Sequence, residues 1–100
     1  MSRRLVILNP AAGRGRVRRE WPHMAGRLRA AGVAFDVIET QHPGQGVELA
    51  QRASRDYAAV IAAGGDGTVH EVANGLLRSR GRAAFGVLPL GSGDDFAKML

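Results

Sequence analysis

The strongest chemical signal in this 100-residue chain is a run of five residues: Gly64, Gly65, Asp66, Gly67 and Thr68. An apolar run, residues 58–63, precedes them and a helical pattern follows, which predicts a strand, a tight glycine loop and a helix start. Glycines permit positive φ and let a ligand approach the backbone closely. The free amides at a helix start attract phosphate oxygens, and we expect Thr68 to cap the helix.

Asp66 is the unusual member of this loop. A carboxylate facing a polyphosphate is repelled unless it binds a metal, orients an acceptor hydroxyl or takes its proton. The loop therefore predicts a phosphotransfer site. The simpler alternative is a plain turn in which Asp66 bonds to nearby backbone amides. The chain contains neither a P-loop nor a Rossmann glycine fingerprint, since Gly13 and Gly15 lack the third glycine.

Four short β-type runs alternate with helical patterns along the chain. The predicted strands are residues 5–8, 34–38, 59–63 and 85–88, and the predicted helices lie near residues 17–31, 46–56, 69–77 and 94–100. Pro22 interrupts the first helical pattern and favours a first turn at residues 21–23. The alternation predicts an α/β fold, a parallel sheet with right-handed crossovers and helices on both faces.

Every predicted strand ends in a polar or glycine-rich loop, at residues 9–15, 40–44, 64–68 and 91–95. Ligands of open parallel sheets gather at the carboxyl ends of the strands. We therefore expect these four loops to converge on one binding site.

The formal net charge is +5, and the basic excess lies in the first third, where residues 1–35 hold eight arginines against the single acid Glu20. Such a patch suits nucleotide phosphates, anionic lipid headgroups or nucleic acid, and a solvated arginine-rich face explains it equally well. Arg14 and Arg16 are of particular interest because they lie in a glycine loop. The chain has no cysteine, signal peptide or long apolar run, so we expect a cytoplasmic protein.

Three blocks, residues 9–13, 64–75 and 88–97, together resemble the catalytic domain of the diacylglycerol kinase family, which includes bacterial lipid kinases, sphingosine kinases and ceramide kinases. The Gly-Gly-Asp-Gly-Thr motif alone is shared with NAD kinases and, more loosely, with phosphofructokinases. The first and third blocks favour the lipid kinases. In that family the nucleotide lies between an N-terminal Rossmann-like α/β domain and a C-terminal β-rich domain, and the γ-phosphate of ATP passes to a lipid hydroxyl.

The resemblance implies that residues 1–100 form the first domain, and that the C-terminal domain is absent from this chain. We therefore expect the isolated chain to transfer little or no phosphate. Asp66 would be the catalytic base or a ligand of Mg²⁺, although family members differ over the base, and Asp95 would help to organise metal and water. The implied ATP contacts are Asn9, Pro10, Ala11, Ala12, Gly13, Thr40, Gly64, Gly65, Asp66, Gly67, Thr68, Val69, His70 and Ser92.

The third block departs from the family pattern in two places. Ser92 replaces a threonine and keeps its hydroxyl, whereas Asp94 replaces an asparagine and adds a negative charge. The implied partners are ATP, a lipid substrate met peripherally at a membrane surface, and the C-terminal domain. The alternatives are an NAD kinase-like phosphotransferase and a basic regulatory or nucleic-acid-binding module. No nucleic acid is expected, because the chain lacks aromatic interleaving and any zinc or helix-turn-helix signature.

Several other residues receive structural interpretations. We interpret His23 and His42 as ordinary exposed histidines, and Trp21 as a core anchor. Glu71 is interpreted as a surface residue that favours the dipole of its own helix. Gly75 is expected to mark close packing of the third helix on the sheet.

Overall fold

The computed structural model describes residues 3–79 and 81–90. Their elements are β1 (Arg4–Leu8), α1 (Arg16–Ala30), β2 (Phe35–Glu39), α2 (Gln45–Ala53), β3 (Ala59–Gly64), α3 (Asp66–Arg78) and β4 (Ala84–Pro89). The strands form one parallel sheet in the order β2-β1-β3-β4. The predicted α/β class is confirmed. The predicted loop 91–95 and helix 94–100 lie outside the described residues.

The sheet is covered by helices on both faces, and β1 contributes to both cores. Leu5 and Ile7 belong to a cluster that α2 and α3 complete, whereas Val6 and Leu8 belong to a second cluster with α1. Successive side chains of a strand point to opposite faces of the sheet. Burial on both faces therefore explains why the strand is a continuous apolar run.

Helix α1 begins at Arg16 and continues through Pro22, so the predicted first turn at residues 21–23 is wrong. An interior proline removes one helical hydrogen bond and costs about 3 kcal/mol. Packing offsets this cost, because Val17 is fully buried and a buried valine contributes about 1.5–3 kcal/mol. Trp21 packs edge-to-face on Phe35, with ring centroids 5.8 Å apart, which confirms its role as a core anchor.

Helices α2 and α3 lie unusually close together at Gly75. A Cβ atom at this position would lie 2.3 Å from the carbonyl oxygen of Val47 and 2.7 Å from the Cβ of Ala50. The close packing predicted at Gly75 therefore occurs, but its partner is helix α2 and not the sheet. The neighbouring Val72 is the residue of this helix that enters the core above the strands.

Candidate functional site

Three strands end at the same level, which brings their loops together at one edge of the sheet. Leu8 is in register with Glu39 on one side and with Ala63 on the other. The hydrogen bonding continues past these strand ends: the N–H of Asn9 donates to the carbonyl of Ala63 (3.1 Å), and the N–H of Thr40 donates to the carbonyl of Leu8 (2.8 Å). The loops after β1, β2 and β3 therefore converge as predicted.

These loops enclose a cavity of about 410 Å³, a volume typical of small-molecule sites. The cavity brings together many of the predicted nucleotide contacts: Asn9, Pro10, Ala11, Ala12, Thr40, Gly65, Gly67 and Thr68. It is also lined by five residues that were not predicted as contacts: Arg18, Gln41, His42, Pro43 and Glu71.

The remaining predicted contacts lie beside the cavity or outside the described residues. Gly64 is buried at the end of β3, and Asp66 and His70 are exposed on the first turns of α3. The side chain of Val69 packs against the core. Gly13 has left-handed backbone (φ 64°) in the turn that leads into α1. Ser92, Asp94 and Asp95 lie outside the described residues.

The loop after β1 is held by its own polar groups and by left-handed backbone. The side-chain oxygen of Asn9 accepts a hydrogen bond from the N–H of Ala11 (3.2 Å), a turn-stabilising geometry typical of asparagine. Arg14, with φ 58°, lies between Gly13 and Gly15, which also have positive φ. Arg14 and Arg16 are exposed, and it is Arg18, in the first turn of α1, that lines the cavity.

Helix α3 starts two residues earlier than Thr68. Gly65 is its N-cap residue, and the N–H of Val69 donates to the carbonyl of Gly65 (3.1 Å). The expected capping role of Thr68 is therefore wrong, because the extended backbone of Gly65 (φ −87°, ψ −167°) lets helical geometry begin directly at Asp66. The N–H groups of the first turn have no carbonyl partner within the helix.

The hydroxyl of Thr68 is buried without a hydrogen-bond partner among the residues that the structure describes. Thr68 is only 4% exposed, and its Oγ1 would lie 2.6 Å from a Cβ placed on Gly64. An unsatisfied buried polar group costs about 1–3 kcal/mol. Thr68 is also one of the residues that line the cavity.

Gly65 and Gly67 are not explained by the protein's own packing. A Cβ atom on either would meet no other atom within 4 Å. Gly65 has an extended backbone that any residue adopts, and Gly67 is helical, where glycine costs about 1 kcal/mol relative to alanine. Both line the cavity, so their α-carbons leave open space there.

Glu71 has a different role from the one predicted. Its Oε1 accepts a hydrogen bond from the N–H of Gly46 (2.9 Å), so the carboxylate lies at the start of α2 and does not serve the dipole of its own helix. The spacing could have indicated its place at the cavity, since residues 67 and 71 share one helix face. His42 is exposed, as predicted, yet it also lines the cavity.

A larger cavity, about 670 Å³, lies at the C-terminal halves of α2 and α3 and has a mixed-charge lining that includes Arg52, Arg55 and Arg78. It contains no glycine loop. Helix C-termini carry partial negative charge, whereas the start of α3 carries partial positive charge. The helix dipoles, taken alone, therefore favour an anion at the smaller cavity.

Two absences apply to residues 3–79 and 81–90. Within these ranges, no three histidine, aspartate or glutamate side chains gather as a metal-binding group. No helix there combines the length and the apolar character that crossing a membrane requires.

Comparisons with known proteins agree with this architecture. The chain is 38% identical over 96 residues to diacylglycerol kinases of Staphylococcus haemolyticus and Staphylococcus aureus (strain bovine RF122 / ET3-1), matching 95% of this chain but only 29% and 30% of those proteins. It resembles the crystal structure of a diacylglycerol kinase from Bacillus anthracis strain Sterne, with a TM-score of 0.76 and 29% identity over 99% of this chain and 36% of that one. Residues 3–100 match the model of the diacylglycerol kinase catalytic domain. The chain belongs to the diacylglycerol kinase catalytic domain family.

Proposed function

We propose that this chain is the nucleotide-binding domain of an ATP-dependent lipid kinase, which transfers the γ-phosphate of ATP to a hydroxyl of diacylglycerol or a related lipid. Membership of the diacylglycerol kinase family supports a lipid kinase. The observation that carries the nucleotide part is the glycine loop, where the Thr68 hydroxyl has no partner among the described residues and two glycines open to the cavity.

The proposed placement of the phosphates is at the start of α3. The first-turn amides there point out of the helix, and its dipole favours anions. Arg18 lines the same cavity and adds a positive charge. The nucleoside would lie along residues 9–13 and contact Thr40.

In the proposed reaction the lipid hydroxyl oxygen forms a bond to the γ-phosphorus while the bond from that phosphorus to the β–γ bridging oxygen breaks. ADP leaves, and the hydroxyl proton passes to a carboxylate. Asp66 is the proposed base because it is the acid of the glycine loop and is exposed beside the cavity. A carboxylate of a further domain is the alternative. Positioning and charge neutralisation provide most of the catalysis in phosphoryl transfer.

Mg²⁺ remains part of the proposal because it neutralises the charge of ATP phosphates. The described residues do not form a magnesium site by themselves, since Asp66 is the one carboxylate in the glycine loop and the described ranges hold no group of three ligands. The other predicted ligand, Asp95, lies outside those ranges. No step of the proposed reaction is therefore assigned to the metal.

The proposed lipid partner would be met at a membrane surface. The outer side of α1 and the turn before it presents exposed arginines, among them Arg14, Arg16, Arg19 and Arg27. Clusters of basic side chains attract anionic lipid headgroups. This surface supports a peripheral contact of the kinase with its membrane.

A substitution of the proposed base tests the reaction. In the full-length protein, Asp66→Asn is expected to lower phosphate transfer from radiolabelled ATP to diacylglycerol in micelles by at least about 100-fold, the usual contribution of a general base. The circular dichroism spectrum should not change, since Asp66 is exposed. Asp56→Asn, an exposed acid at the other cavity, is the matched control. Near-normal transfer by Asp66→Asn would remove Asp66 from the mechanism.

A further inference from the structure

The contact between Glu71 and Gly46 joins α3 to α2 through two residues that are 25 positions apart in the chain. The Oε1 atom of Glu71 accepts from the Gly46 N–H, and the carboxylate and Cβ lie directly over the Gly46 α-carbon. A Cβ on Gly46 would come within 2.7 Å of that Oε1 and 3.0 Å of the Glu71 Cβ. Gly46 itself is buried. The absence of a side chain at residue 46 is therefore what admits Glu71.

This hydrogen bond connects the two walls of the cavity. One wall is the turn of residues 40–44, which ends where α2 begins, and the other is the glycine loop at the start of α3. The turn is held internally by the N–H of Gln41, which donates to Oε1 of Gln45 (2.6 Å). The hydrogen bond to Glu71 connects the start of α2, next to this turn, to α3. Glu71 also lines the cavity.

The hydrogen bond that Glu71 accepts distinguishes the two helix starts at the cavity. Its carboxylate accepts from an N–H in the first turn of α2, where it satisfies an amide that has no partner within the helix. The first turn of α3 carries its own acid, Asp66, and the hydroxyl of Thr68 there lacks a partner among the described residues. The start of α2 therefore offers a ligand one free amide fewer.

We propose that Glu71 is a positioning residue that holds the 40–44 turn at a set distance from the glycine loop, so that the ligand's phosphates bind at α3 and its uncharged part contacts the turn. This inference rests on the proposed nucleotide-binding function. Glu71 acts through the Gly46 amide and contacts neither the reacting phosphate nor the acceptor hydroxyl.

Three substitutions of Glu71 in the full-length protein test the inference, with calorimetric titration of ATP and with KM and kcat for ATP as readouts. Glu71→Gln keeps an acceptor oxygen at the same reach, so its affinity should remain within about twofold of the wild type. Glu71→Ala and Glu71→Asp should each raise the Kd and KM about tenfold, because one lacks the acceptor and the other is too short. The kcat of all three should change by less than about threefold.

The partner side of the contact provides a reciprocal test. Gly46→Ala should raise the KM for ATP as Glu71→Ala does, because its methyl group displaces the carboxylate. Adding Glu71→Ala to Gly46→Ala should bring no further loss, since both changes break one interaction. Glu48→Gln is the matched control: this exposed carboxylate on α2 pairs with Arg52 (2.9 Å) and should leave ATP binding unchanged.

The possible failures are distinguishable. If the wild-type protein binds no ATP, the proposed function fails and the inference fails with it. If the wild type binds ATP and Glu71→Ala binds it equally well, the inference alone is overturned, even where the melting temperature of the variant falls. If Glu71→Gln loses as much affinity as Glu71→Ala, the charge of Glu71 matters and not its hydrogen bond, which also overturns a positioning role.

Discussion

At the scale of single residues, the most informative group is the hydroxyl of Thr68. It is buried and lacks a hydrogen-bond partner within residues 3–79 and 81–90, and Thr68 is one of the residues that line the cavity. A polar atom in this state makes the free protein less stable, and it gains a bond when a ligand supplies one. Its effects on stability and on ligand affinity should therefore have opposite signs.

Thr68→Val, which replaces the hydroxyl with a methyl group of similar size, tests this expectation. We expect the free energy of unfolding to stay unchanged or to rise by about 1 kcal/mol, because an unsatisfied group is removed. The affinity for ATP should fall about tenfold, because a ligand hydrogen bond is lost. Urea denaturation and calorimetric titration measure the two effects.

Ser54→Ala is the control, because this hydroxyl is equally buried, at 3% exposure, but it donates to the carbonyl of Gln51 (2.9 Å). Its loss should cost about 1 kcal/mol of stability and leave ATP affinity unchanged. A Thr68→Val protein that is destabilised and still binds ATP normally would contradict the role assigned to Thr68.

At the scale of elements, the cavity depends on how closely α2 and α3 approach each other. Gly46 and Gly75 both lie at this contact, and each meets the opposite helix where a Cβ would lie. Helices separated by glycine have little room to shift, since protein interiors are close-packed. The two loops that precede these helices are therefore held in a fixed relation.

Gly75→Ala tests this packing against a matched glycine on another helix. The new methyl group would lie 2.3 Å from the carbonyl oxygen of Val47, so we expect a loss of about 1–3 kcal/mol from overpacking. Gly26→Ala, on α1 with no atom within 4 Å of the added Cβ, should stabilise the protein by about 1 kcal/mol. Denaturation midpoints give both values, and a stabilising Gly75→Ala would show that the helices are not in close contact.

The edge strand β2 is tied to its neighbours by a polar cluster. Asp36 accepts a hydrogen bond from the hydroxyl of Tyr57 (2.8 Å) and another from the guanidinium of Arg3. These bonds, that of Tyr57 first, hold the pKa of Asp36 below its usual value of 3.8. The same contact raises the pKa of Tyr57.

The lowered pKa of Asp36 predicts a pH dependence of stability. A carboxyl with a lower pKa in the folded state stabilises the fold above the unfolded-state pKa near 3.8, and this contribution is lost as the pH falls through the folded-state pKa. Asp36→Asn should therefore be less stable than the wild type at neutral pH and lose less stability on acidification. Tyr57→Phe should show the same change to a smaller degree. Urea denaturation at a series of pH values measures it, and an unchanged acid dependence in Asp36→Asn would contradict the assignment.

At the scale of the whole molecule, two features could be predicted from the sequence. One is the order of the strands and helices along the chain, and the other is the convergence of the loops after the strands. Residues 5–8 and 60–63 are apolar without interruption because both faces of their strands are buried. Glycines and polar residues then mark where each strand ends. Such signals depend only on residues that are neighbours in the chain, so they can be recognised from the sequence alone.

What could not be predicted depends on contacts between distant residues. The burial of Val17 and the packing of Trp21 on Phe35 decide that α1 continues through Pro22. The hydrogen bond between Glu71 and Gly46 needs the packing of two helices. The start of α3 at Asp66, which removed the capping role of Thr68, depends on the backbone of Gly65. Each of these arises from tertiary structure, which overrides local preference.

The central claim is that the cavity at the sheet edge binds ATP. The most direct test is an amide chemical-shift titration of the isotope-labelled full-length protein with Mg-ATP, and a titration with NAD is the comparison. We expect shifts at residues 9–13, Thr40 and residues 64–70, together with Ser92, on addition of ATP and not of NAD. Any of three results would contradict the claim: shifts with NAD alone, shifts at Arg52, Arg55 and Arg78 of the other cavity, or no shifts in a well-folded sample.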